Sequence, residues 1–213
     1  MRTIALAAIL LFSCAREQAQ IGGVPVADLN AQQLIDRAIQ RYRNAAIYRD
    51  AGTVRTRIDQ HEFVRGFKTE FRGPSRFELV LLDHGDPRYT VRMENGNYTV
   101  STRSGSDTSR DRDTALYGAT GVTSGTSTMI PPLLLEADSV SSLARLQDAH
   151  VGGADTLHGE RCTRVEGTDH KGNPFIVWIG EESQLIRRTL RTIENGVPQK
   201  FENQLDYEEV SLE

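Results

Sequence analysis

The sequence predicts a mainly β domain with helical elements on one side: a strongly curved antiparallel sheet or an incomplete, unclosed barrel. A leading helix and a helical insertion would cover its concave face. Three observations carry this. Apolar residues recur with period two through most of residues 48–207, turn residues rich in Gly, Asn and Pro separate the runs, and the pattern is preceded once and interrupted once by segments of a different character.

The chain has 213 residues, 38% apolar and 25% charged, which fits one globular domain around one hydrophobic core. The formal charge of −4 mixes 25 Lys and Arg with 29 Asp and Glu. No basic surface therefore suggests a nucleic-acid partner.

Met1-Arg2 precedes an apolar run from Ile4 to Phe12, followed by Ser13-Cys14 and, from Arg16, by polar sequence. As a helix this run covers about 15 Å, half of a hydrocarbon core of roughly 30 Å, so residues 1–13 read as a signal peptide for export. Leu11-Phe12-Ser13-Cys14 resembles the lipobox of bacterial lipoproteins, where the cysteine thiol takes a diacylglycerol. That resemblance implies lipidation of Cys14, a membrane anchor at the N-terminus and, with Ala15 next, the periplasmic side of the outer membrane. Ser13-Cys14-Ala15 also suits an ordinary signal peptidase, which would leave the protein free in the periplasm. Residues 14–29, with Gly22-Gly23-Val24-Pro25, read as a linker to a domain over 30–213.

The domain opens with Asn30 and Gln33 in a capping-box arrangement. Leu34, Ile35, Ala38, Ile39 and Tyr42 then share one helical face, which predicts an amphipathic helix ending near Asn44. From Tyr48 the period becomes two. Val54, Thr56 and Ile58, then Phe63, Phe67, Thr69 and Phe71, then Phe77, Leu79 and Leu81, then Tyr89, Val91 and Met93, and after Asn95-Gly96 the run Tyr98, Val100 and Thr102 predict a five-stranded meander. Asn-Gly between alternating runs is a strong hairpin signal because both turn positions need positive φ.

Residues 104–136 break the sheet. The spacing predicts a polar loop over 104–109, a short helix over 111–119, and a lid formed by the apolar cluster Met129-Ile130-Pro131-Pro132-Leu133-Leu134-Leu135. Five more strands follow over 144–151, 161–167, 175–180, 185–193 and 199–207. Turns are expected at Gly152-Gly153, Lys171-Gly172-Asn173-Pro174 and Asn195-Gly196-Val197-Pro198. Phe175-Ile176-Val177-Trp178-Ile179 is apolar on both faces, which predicts a central strand covered on both sides.

Little in the sequence points to catalysis or to a metal. Histidines 61, 84, 150, 158 and 170 form no i,i+4 pair and join no cysteine at metal-ligand spacing. No nucleophile elbow, phosphate loop or dinucleotide fingerprint occurs. Cys162 reads as a small buried hydrophobe. The expectation is a non-enzymatic domain without a catalytic residue, metal or cofactor. Its apolar strand residues form either a filled core or the wall of a partly open pocket.

The order of helix, meander, helical lid and second run of strands resembles the LolA/LolB superfamily of periplasmic lipoprotein carriers. Relatives of that superfamily include mycobacterial lipid-carrier lipoproteins and a sensor domain that restrains an anti-sigma factor. Phe71-Arg72-Gly73-Pro74-Ser75-Arg76-Phe77 is similar to the family's basic-Pro-x-x-Phe junction. Asn95-Gly96-Asn97-Tyr98 is similar to its hairpin with a following aromatic. The likeness spans about residues 30–208. It implies an unclosed barrel binding an acyl chain, a lipid or an acylated lipoprotein, with Phe71, Phe77, Leu79, Val91, Met129, Ile130, Leu133 and Leu134 lining or covering the pocket; the apolar strand pattern adds Phe63, Phe67, Met93 and Trp178 to the expected lining. In the soluble carriers an arginine directly precedes the proline and bonds to the lid; here Gly73 holds that place. A non-catalytic sensor or interaction module that binds another envelope protein and has a filled interior is the alternative.

Overall fold

The computed structural model describes residues 29–121, 123–194 and 199–213. The signal peptide, Cys14, nearly all of the linker and the turn at 195–198 lie outside the described residues.

Helix α1 (Ala31–Arg43) begins where the sequence places it. Asn30 Oδ1 accepts from Gln33 N at 2.9 Å, and Gln33 Oε1 accepts from Asn30 N at 3.0 Å. Leu29 and Leu34 occupy the two positions of a hydrophobic staple, and both are buried.

Eleven strands then make one antiparallel sheet: β1 (Ile47–Ile58), β2 (His61–Arg72), β3 (Arg76–Asp83), β4 (Asp86–Glu94), β5 (Asn97–Thr102), β6 (Gly105–Ser109), β7 (Gln147–Leu157), β8 (Glu160–Thr168), β9 (Pro174–Gly180), β10 (Ile186–Ile193) and β11 (Phe201–Leu212). Their order is β6-β5-β4-β3-β2-β1-β11-β10-β9-β8-β7. The first and last strands meet in the middle, β6 and β7 form the two edges, and the curled sheet stays unclosed. Between β6 and β7 run α2 (Arg112–Gly118), a 3-10 turn (Thr126–Thr128) and α3 (Ile130–Leu134).

Register sorts the side chains into rows on the inner face. One row is Tyr48, Phe71, Phe77, Met93 and Tyr98; the next is Asp50, Thr69, Leu79, Val91 and Val100; the third is Gly52, Phe67, Leu81, Tyr89 and Thr102. The opposite face carries Arg49, Glu70, Glu78 and Arg92, with Arg92 and Glu78 paired at 2.5 Å. This alternation is why the period-two signal is legible.

Four sequence expectations change. Residues 105–109 form the edge strand β6 instead of a loop, because its backbone completes the ladder with β5 although the sequence Gly-Ser-Asp-Thr-Ser has no apolar alternation. β7 starts at Gln147 and runs through Gly152-Gly153, which is a bulge against β8 and not a turn. The reversal comes at His158-Gly159, both at positive φ (50° and 79°), as a two-residue hairpin needs. β9 is third from one edge, not central. Its second apolar face is covered by its own strand neighbours, as described below.

Candidate functional site

The inner rows and the lid form one contiguous core. It contains Phe67, Phe71, Phe77, Leu79, Val91 and Met93 from the sheet, Met129, Ile130, Leu133 and Leu134 from the lid, and Leu34, Ile35, Ala38, Ile39 and Tyr42 from α1. Ten of the twelve lining residues expected from sequence are thus brought together. Phe77, Val91 and Leu133 are each 0% exposed, so no water-sized void lies against them. Of the two expectations, a filled core or the wall of a partly open pocket, the structure shows the filled core at these positions.

Two expected lining residues lie elsewhere. Phe63 is in phase with Phe67 but nearer the β1–β2 turn, and is 49% exposed. Trp178 points to the outer face, where it forms a second small cluster with Leu157, Cys162, Ile176 and Leu190. Its indole Nε1 donates to Asp155 Oδ2 at 2.7 Å, and the Arg188 guanidinium lies 5.8 Å from the ring centroid. Burial pushes the Cys162 thiol up to about 11, so the buried-hydrophobe reading of this residue fits its surroundings.

The lid owes its shape to local hydrogen bonds. Asp111 caps α2, Thr123 Oγ1 donates to Ala119 O at 2.8 Å, Ser127 Oγ donates to Leu116 O at 2.9 Å, and Arg112 Nη1 donates to Leu135 O at 2.6 Å. Gly125 enters the 3-10 turn at φ 83°, a conformation that favours glycine. Toward the rest of the domain, Arg43 at the end of α1 forks onto both Asp138 oxygens at 2.5 Å, and Asn203 Nδ2 on β11 donates to Ser124 O at 3.2 Å. Gly73 extends β2 into the Pro74 junction at φ 56° and offers no latch.

One residue of the inner face escapes sequence reasoning. Asp50 stands in a row with Leu79 and Val91 and is 6% exposed. Its Oδ2 accepts from Tyr48 Oη at 2.8 Å, while Oδ1 has no hydrogen-bond partner. Burial pushes its carboxyl up to about 7, against the downward pull of the Tyr48 hydroxyl and of Thr69. An acidic residue in phase with buried Tyr48 and Val54 is the available signal. Among the described residues, no three His, Cys, Asp or Glu side chains gather where they could hold a metal ion, and no helix is long and apolar enough to cross a membrane.

Grooves open to solvent among the described residues include these two. One of about 730 Å³ crosses β3, β2, β1, β11 and the start of β10; outward residues of mixed charge such as Arg49, Glu70 and Glu208 line it, and Asp50, Thr69 and Arg187 border it. The other, about 410 Å³, lies between α1 and residues 143–146, with Ile35, Ile39, Leu143 and Leu146 at its floor and Gln32, Asp36, Gln40 and Arg43 around it.

No family model matches the chain, and no curated protein matches it. Among solved structures it is similar to MucB, with 14% identity, 85% of this chain and 58% of that chain covered, and a TM-score of 0.52. It is likewise similar to the complex of Pseudomonas aeruginosa MucA/MucB, with 14% identity, 85% and 56% coverage and a TM-score of 0.51. A LolA superfamily protein, NE2245 from Nitrosomonas europaea, also matches, at 11% identity over 87% of this chain and 94% of that chain, with a TM-score of 0.42. The fold is the one MucB has. The chain spans little more than half of MucB, and at these identities the likeness establishes the fold alone.

Proposed function

We propose that this is a non-catalytic, exported LolA-like domain that takes an acyl chain, carried by a lipid or a lipoprotein, into the place its own lid fills in the closed state. The observation that carries the reading is the lid itself: Met129, Ile130, Leu133 and Leu134, all buried, sit on or beside a five-residue helix shaped by local bonds. Removing four such side chains from a core costs about 6–12 kcal/mol, at roughly 1.5–3 kcal/mol each. An acyl chain regains about 0.8 kcal/mol per methylene, so about 8–15 methylenes offset the loss. The upper end of that range is the length of an ordinary membrane acyl chain. An N-terminal anchor at Cys14 would hold the domain at the periplasmic side of the outer membrane.

The filled interior supports a second reading, a sensor or interaction module whose partner is another envelope protein. MucB, which shares the fold, is solved in complex with MucA. Native mass spectrometry of the protein purified from a bacterial envelope separates the two. A stoichiometric co-purifying lipid, lost in Leu134→Glu, supports acyl binding. Absence of bound lipid together with no uptake of added fatty acid or phospholipid rejects it in favour of the interaction module.

A further inference from the structure

We propose that Asp50 is a pH-sensitive catch beneath α1, neutral while the helix is seated on the sheet and ionised when the helix lifts. The geometry is specific to this position. Asp50 lies on β1 two residues from Tyr48, and the Tyr48 ring meets the Tyr42 ring of α1 edge-on, with centroids 5.4 Å apart. Tyr42 Oη in turn accepts from Ile186 N on β10 at 2.9 Å. The carboxyl is thus held at the contact that seats the C-terminal half of α1: Oδ2 accepts from Tyr48 Oη, Oδ1 has no partner at hydrogen-bond geometry, and Thr69 of β2 is near enough to pull the carboxyl downward without offsetting its burial.

The surrounding groups offer no compensating charge. Tyr42 from α1, Tyr48 from β1 and Tyr207 from β11 are buried phenols, each held above its ordinary range by burial and by the Asp50 charge itself. From β2 the neighbour in register is Thr69. Arg187 on β10 acts on Tyr42, but its guanidinium is paired with Glu160 at 2.7 Å. Arg49 and Lys68 project from the opposite face of the sheet. A carboxylate in this setting has hydroxyl donors but no cation beside it, so burial costs the charged form more than a carboxylic acid. Lifting the end of α1 admits water and returns Asp50 to ordinary carboxylate behaviour. Alkaline conditions therefore favour the lifted form and acid the seated one, whether the inner face receives a lipid or a protein.

The test is hydrogen–deuterium exchange of the whole chain read over α1, corrected for the intrinsic pH dependence of exchange. If Asp50 titrates near 7 when seated and near 4 when released, opening rises about thirtyfold between pH 5.5 and pH 8.5 and continues to rise only while the seated carboxyl stays protonated, levelling off above neutrality. Asp50→Asn should remove this dependence and leave α1 protected at both values. A variant that keeps the wild-type slope, or a wild type without one, overturns the proposal. Should Asp50→Asn not fold, carbon-13 carboxyl shifts of the wild type decide: a midpoint near neutrality supports the catch, and one near 4 rejects it.

Discussion

Shortening Leu133 to alanine tests the competition between lid and ligand, because the same substitution should weaken the empty protein and strengthen binding. Leu133 is 0% exposed within the main core. Removing its three outer carbons costs about 2–5 kcal/mol, the transfer loss plus the cavity left behind. For a domain of this size that lowers the melting temperature by roughly 5–15 °C. If an acyl chain binds by displacing the lid, Leu133 has already left the core in the bound form, and the variant spares that part of the opening cost. Affinity then rises by as much as the apo state has lost. With each 1.4 kcal/mol worth about tenfold, binding of a sixteen-carbon fatty acid should tighten at least about tenfold. Differential scanning fluorimetry with and without saturating fatty acid, paired with calorimetric titration, reads both quantities. A variant whose melting temperature falls equally in the two conditions, with unchanged or weaker affinity, would refute lid displacement and leave the lid as ordinary core.

Three further outcomes follow from particular contacts. A Cβ at Gly52 would stand 1.9 Å from the Asp206 carbonyl oxygen, so Gly52→Ala should cost at least about 1–3 kcal/mol by forcing β1 and β11 apart; an unchanged thermal melt contradicts this. Asp138 is 56% exposed where it meets Arg43, so Asp138→Asn should change global stability by no more than about 1 kcal/mol while speeding amide exchange over 123–143; equal exchange there argues against a latch. At Asp169 burial pulls the carboxyl upward, but bonds from Arg191, Asn173 and Lys171 hold it well below the usual range. A lowered folded pKa gives stability that is present above the unfolded value of about 4 and lost as pH falls through and below it. Asp169→Asn should therefore cost about 1.5–3 kcal/mol at neutral pH and flatten the acid limb of a denaturation profile.

Elements with a strong periodic signature are legible in the sequence. The capping box marks the start of α1, and Asn95-Gly96 turns with both residues at positive φ, 51° and 77°. β6 is hidden because an edge strand with exposed residues needs only a backbone partner. Gly152-Gly153 misleads because a glycine pair serves a bulge as well as a turn, and His158-Gly159 supplies the turn through a histidine in the left-handed region. Trp178 misleads because an apolar residue on the outer face of a strand looks like the sign of a second covering layer. Asp155, Arg188 and the neighbouring strands satisfy both its ring and its N–H instead.

The lining of the site and its one charged member are unequally visible for the same physical reason. Period two assigns a face to every residue of a strand, so Phe67, Phe71, Phe77, Leu79, Val91 and Met93 group together from the order of residues alone. The same count puts Asp50 on that face, between Tyr48 and Val54. A charged residue in phase with apolar neighbours is the feature least expected of a core, since burying it without a partner opposes folding. Patterns are found by their regular members, and a single exception reads as noise until register shows that Leu79 and Val91 continue its row across the sheet. Such exceptions are where an inner face built for apolar packing can still respond to its surroundings, and Asp50 is placed to do so because α1 bears on its neighbour Tyr48.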